Sequence, residues 1–115
     1  MTAVALAQGL YYIVTGIWPV VHMRSFVKVT GPKTDLWLVH TVGAMLIAVG
    51  GGLLVAGMQR QFQPALIVVA MLSAAVLCAV EVIYVSKRTI SRIYLLDTAI
   101  EIGFLLAWAA CLVNR

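Results

Sequence analysis

Three carboxylates and an imidazole stand a full turn or more inside long apolar runs of this chain: Glu81, Asp97, Glu101 and His40. Of the acidic residues, only Asp35 falls in a polar segment. An ionised side chain at the centre of a bilayer helix costs on the order of 3 kcal/mol or more, so such groups are met by a partner, by water or by a bound ligand. Groups of this type bind and release protons, counter the charge of a cation, or act as general acid and base. Tyr94, Asp97 and Glu101 follow i, i+3, i+7 spacing, which puts them on one helix face that Trp108 extends.

Depth adds to this. Glu81 is four residues from Val85, Asp97 four from Ile93 and His40 four from Leu36, so each is set roughly 6 Å inside its apolar run. Glu101 lies one turn deeper, at roughly 12 Å. The expected site is a polar pocket opening toward the cytoplasm and walled by His40, Glu81, Asp97 and Glu101. Tyr94 shares its face, and the first run can add Thr15, Trp18 and His22. The structural alternative is plain pairing. Arg24, Lys87, Arg88 or Arg92 can neutralise Glu81 and Asp97, a neutral Glu101 can hydrogen-bond locally, and His40 can do the same.

The elements that must position these residues follow from composition. The chain is 63% hydrophobic and 10% charged, with a mean hydropathy of +1.06, which excludes an ordinary water-soluble domain and a disordered chain. A net charge of +4 from 8 basic and 4 acidic residues is too sparse for a nucleic-acid-binding face. A bilayer core needs roughly 20 apolar residues per helix. Four runs meet that length, at about 3–23, 36–58, 64–85 and 93–113. Polar breaks at 24–35, 59–63 and 86–92 are short enough to force antiparallel neighbours. The expected fold is an all-α membrane protein, a single domain over 1–115 forming an up-down bundle of four transmembrane helices.

Local signals agree with those boundaries. Thr30-Gly31-Pro32 reads as a turn, Thr34 or Asp35 as the cap of the second helix, Pro64 as the first residue of the third and Ser91 as the cap of the fourth. The first run reads as a retained helix, because nothing basic precedes Arg24. Arg24, Lys28, Lys33, Lys87, Arg88 and Arg92 gather on the first and third breaks, against Arg60 and Arg115 opposite. That asymmetry predicts both loops, 24–35 and 86–92, in the cytoplasm and both termini outside. Small residues mark the packing faces: Ala70, Ala74 and Cys78 lead to Glu81 on the third helix, and His40, Ala44, Ala48, Gly52 and Ala56 recur at i+4 on the second.

Other chemistry finds no motif. No His-x-x-His or Glu-x-x-His spacing occurs, so no metal is expected, and no cofactor motif is present either. Cys78 and Cys111 lie at depths about 18 Å apart, too far for a disulfide. Gly31-Pro32-Lys33-Thr34 lacks the glycines of a phosphate loop. No catalytic signature names a reaction.

Two segments carry a family likeness: Thr15-Gly16-Ile17-Trp18-Pro19, and Val29-Thr30-Gly31-Pro32-Lys33-Thr34-Asp35 followed by Trp37-Leu38-Val39. They resemble a group of small, uncharacterised bacterial four-helix membrane proteins, and the resemblance implies that architecture, in a bacterial inner membrane, without an activity. The residues themselves point first to binding or transport of a proton together with a cationic or amphipathic small ligand. The second expectation is a structural or accessory subunit of a larger membrane complex; the third is a membrane enzyme acting on a lipid. The expected partners are the lipid bilayer, a second copy or a larger membrane complex, and a small-molecule ligand, with no nucleic acid.

Overall fold

The computed structural model of the protein describes residues 1–31 and 36–114. These form five helices and no strand: α1 (Thr2–Val21), α2 (Met23–Thr30), α3 (Leu36–Gln59), α4 (Pro64–Ser86) and α5 (Tyr94–Val113). The expected all-α class holds, and α1, α3, α4 and α5 are each long and apolar enough to cross a membrane. Their bounds lie within a residue or two of the predicted runs. The chain divides into two compact units, Thr2–Gln61 and the segment from Phe62 onward.

In the first unit α1 and α3 pair through a glycine seam. Ala5, Gly9, Tyr12, Gly16 and Pro19 are the buried line of α1, and Gly43, Gly50, Leu53 and Gly57 that of α3. A repeat of seven residues keeps one stripe of a helix facing one partner. The approach is backbone to backbone and reciprocal. A methyl group added to Gly50 would stand 2.6 Å from the Gly9 carbonyl oxygen, and one on Gly9 would stand 2.8 Å from that of Gly50. Gly16 and Gly43 oppose each other in the same way, a Gly43 methyl meeting the Gly16 oxygen at 2.7 Å. The pairs 9/50 and 16/43 run in opposite chain directions, so the two helices are antiparallel. Apolar side chains gain little by leaving lipid for one another, and close packing of the two backbones supplies the attraction instead.

This overturns the expected packing face of α3. Ala44, Ala48 and Gly52 are exposed, as is His40, and only Ala56 of that i+4 ladder is buried. Glycine at every seventh position lets the α1 backbone closer than alanine does, and that closeness chooses the face.

The first polar break is also more ordered than expected. Residues 24–35 are predicted as a loop, yet Met23–Thr30 is a helix. Its start is capped by His22, whose ring Nδ1 accepts from the Ser25 backbone N–H at 3.2 Å. Its end is closed by Gly31, at φ 104°, whose N–H donates to the Val27 carbonyl at 2.8 Å. Only glycine takes that backbone conformation without strain. The helix forms because Met23, Phe26, Val27 and Thr30 recur at helical spacing among Arg24, Ser25 and Lys28. The predicted capping role of Thr34 or Asp35 falls outside the described residues.

In the second unit α4 and α5 form an antiparallel hairpin. Ile67, Ala70, Ala74 and Glu81 are the buried face of α4, as the small-residue pattern predicts, and Thr98, Glu101 and Trp108 that of α5. Pro64 opens α4 at its first turn after Gln63, where its missing N–H leaves no bond unmade. Ser91 does not cap α5 directly. Its hydroxyl oxygen accepts the Ile93 N–H at 3.3 Å and its carbonyl accepts the Tyr94 N–H at 3.2 Å, one turn ahead of the helix.

Candidate functional site

The polar residues of the α4–α5 hairpin meet on its inner face. Glu81 lies five residues before the end of α4 and Asp97 three after the start of α5, so the antiparallel turn brings them to one level. Glu81 is 5% exposed, Thr98 6% and Glu101 0%. The Glu81 carboxyl interacts with that of Asp97, and less strongly with that of Glu101. Two neighbouring carboxyl groups can hydrogen-bond only with a proton between them, since two carboxylates have only acceptors to offer.

Thr98 ties this pair to the backbone. Its hydroxyl donates to the Tyr94 carbonyl at 3.2 Å and stands 3.5 Å from Glu81 Oε1. The Cys78 thiol donates to the Thr98 carbonyl at 3.7 Å, which couples the helices a second time. Helical spacing places Glu101 one turn beyond Asp97 on the same face. The first turn of α5 also holds Asp97 at the positive end of the helix dipole. Farther along, Phe62 meets Trp108 edge-on at 6.3 Å between ring centroids, and Trp108 is fully buried.

The nearby cations face outward. Arg88 and Arg92 are exposed, and the Lys87 ammonium sits 5.8 Å from the centre of the Tyr84 ring. Arg88 adopts φ 58° in the turn that closes α4, where the Thr89 N–H returns to the Tyr84 carbonyl at 2.9 Å.

Glu81, Asp97, Glu101 and Tyr94, expected together, thus belong to one hairpin, with Glu81 beside Asp97 and the Tyr94 carbonyl linked to Glu81 through the Thr98 hydroxyl. His40 and Trp18 belong to the first unit. His40 is exposed near the start of α3. Trp18 is engaged at the α1–α2 elbow, its indole N–H donating to Ser25 Oγ at 2.8 Å. Thr98 has no place in the sequence-based site, although its i+1 position from Asp97 and i−3 from Glu101 mark it as a neighbour of both. Cys78 and Cys111 are both free thiols, and no group of three metal-ligating side chains occurs among the described residues.

What this arrangement can do chemically is hold a proton between two carboxyl groups with a third carboxyl one turn away. No protein-family model matches the sequence, and no curated protein or solved structure matches it.

Proposed function

We propose that this multi-pass membrane protein binds a proton and a cationic or amphipathic small ligand at the acidic cluster of the α4–α5 hairpin, and exchanges one for the other. The observation that carries the reading is the meeting of the Glu81 and Asp97 carboxyl groups, with Glu101 fully buried one turn deeper, inside an apolar helix pair. An arriving cation replaces the shared proton, and the cluster keeps its charge balance with Glu101 as the deeper counter-charge. Thr98 holds the Glu81 carboxyl in place through the exchange. The positive-inside count favours a cytoplasm-facing cluster with both termini outside, and the likeness of the two N-terminal segments favours a bacterial inner membrane. The experiment uses the full chain in detergent with tetraphenylphosphonium as the probe. Binding should release protons into a weakly buffered solution, and E101Q should weaken binding about tenfold or more, the loss expected of one buried counter-charge. Binding without proton release would refute the exchange.

A second reading has one observation in its favour. Ala44, Ala48 and Gly52 form an exposed small-residue ladder on α3, and methyl groups added to Gly51 or Gly52 would meet nothing within 4 Å. Such ladders admit a second membrane helix at close range. An accessory subunit of a larger complex, or a homodimer, would use that face. Cross-linking of cysteines introduced at Ala48 in native membranes distinguishes a second copy from a different partner.

A further inference from the structure

The elbow between α1 and α2 is built, not slack. α1 ends at Val21 and α2 starts at Met23, with His22 between them at φ −141° and ψ 74°, outside the helical region. Across this break the Trp18 indole N–H reaches Ser25 Oγ at 2.8 Å, and the Trp18 and Phe26 rings meet edge-on at 5.3 Å and 90°. The Ser25 hydroxyl also donates to the His22 carbonyl at 3.1 Å. These contacts tie α2 to the last turns of α1 across the break at His22, beside the end of the apolar run. An indole at that level is typical of the membrane–water boundary.

At that boundary the two faces of α2 differ. Phe26 and Thr30 are buried, whereas Arg24 and Lys28 are exposed. They are four residues apart, so their charges project from one side of the helix. No acidic residue occurs between Val21 and Gly31 to neutralise them. A short helix with an anchored apolar face and cations on the other suits the plane of a headgroup layer, where it meets phosphates.

We infer that α2 is an interfacial helix whose Arg24 and Lys28 bind the phosphates of anionic phospholipids. The elbow fixes both side chains at headgroup depth, so the protein gathers an anionic lipid shell beside the α1–α3 hairpin. This surface is distinct from the acidic cluster of the α4–α5 hairpin and does not depend on the exchange proposed there.

The test uses the full chain reconstituted in phosphatidylcholine vesicles with trace spin-labelled phosphatidylglycerol or spin-labelled phosphatidylcholine. Electron paramagnetic resonance reads the protein-immobilised fraction of each lipid. The wild type should favour phosphatidylglycerol about fivefold, the order expected of a basic side chain at an anionic surface. R24Q/K28Q should reduce that preference to about twofold or less, while R24K/K28R should keep it. K87Q/R88Q removes the same charge from the α4–α5 turn and should leave most of the preference intact. An unchanged preference in R24Q/K28Q would overturn the inference. So would an equal loss in K87Q/R88Q, which would assign the effect to net charge and not to α2.

Discussion

The Thr98 hydroxyl stands 3.5 Å from Glu81 Oε1 while donating to the Tyr94 carbonyl at 3.2 Å, so one proton is shared by two acceptors on different helices. The contact to Tyr94 stays within α5, and the contact to Glu81 crosses to α4. Thr98 therefore links the geometry of the acidic pair to the backbone that carries it. A hydroxyl is suited to this position because it reorients without moving its oxygen.

Thr98→Val keeps the shape and removes the hydroxyl. It should cost about 1 kcal/mol of stability, the usual net worth of one buried hydrogen bond. It should also weaken tetraphenylphosphonium binding severalfold, because Glu81 loses its tether. Thr98→Ser should restore both. Thermal unfolding in detergent and equilibrium dialysis measure the two effects, and equal behaviour of the valine and serine variants would count against the tether.

The glycine seam predicts opposite outcomes at two glycines of one helix. Gly43→Leu drives a side chain into the Gly16 carbonyl, 2.7 Å from where its first carbon must stand, and should cost about 2–3 kcal/mol or more by overpacking. Gly52→Ala meets nothing within 4 Å and should be neutral or stabilising by up to about 1 kcal/mol, from the lower backbone entropy of the unfolded chain. Unfolding midpoints of the two variants in one detergent decide the matter.

Much of the fold is legible in the sequence, because about 20 apolar residues between polar breaks leave a membrane chain few choices. The packing face of α4 is legible for a related reason: Ala70, Ala74 and Glu81 lie on one stripe, and burial follows the smallest side chains. On α3 the same rule points to the wrong stripe. Alanines at i+4 and glycines at i+7 are both small-residue patterns, and only the matching Gly9 and Gly16 on α1 select the second. Helix α2 is hidden by its charges, since Arg24 and Lys28 read as loop unless Phe26 and Thr30 are traced on the other face. The acidic cluster is half legible. Depth brings Glu81 and Asp97 to one level, whereas Thr98 gives no signal because a threonine in an apolar helix is ordinary.

Arg88 occupies the left-handed region at φ 58°, in a turn that ordinarily takes glycine. Arg88→Gly should remove the steric strain and raise stability by about 1 kcal/mol. Retaining arginine there keeps a cation at the C-terminal end of the α4 dipole. A lowered unfolding midpoint in the variant would show that the charge outweighs the strain.

The His22 cap is testable without any ligand. His22→Ala removes the acceptor for the Ser25 N–H and should cost about 1 kcal/mol of α2 helix. That corresponds to roughly fivefold faster amide hydrogen exchange, confined to Met23–Thr30, if the segment opens locally. His22→Asn supplies another side-chain acceptor at the capping position and should restore protection. Faster exchange spread through α1 and α3 would mean that the elbow supports the whole hairpin.

Glu81→Gln separates the structural role of the acidic pair from its proton. The amide oxygen can still accept from Thr98, and the amide N–H can donate to an ionised Asp97. The hairpin should therefore keep its stability to within about 1 kcal/mol. The bridging proton, however, is replaced by a permanently bonded hydrogen that no cation displaces. Tetraphenylphosphonium should bind to the variant through Asp97 and Glu101 while releasing about one proton fewer than the wild type, a difference that follows from the donor count of the amide. An indicator dye in weak buffer gives the number of protons per cation, read against binding in the same sample. Equal release from the two proteins would place the exchanged proton elsewhere than between Glu81 and Asp97.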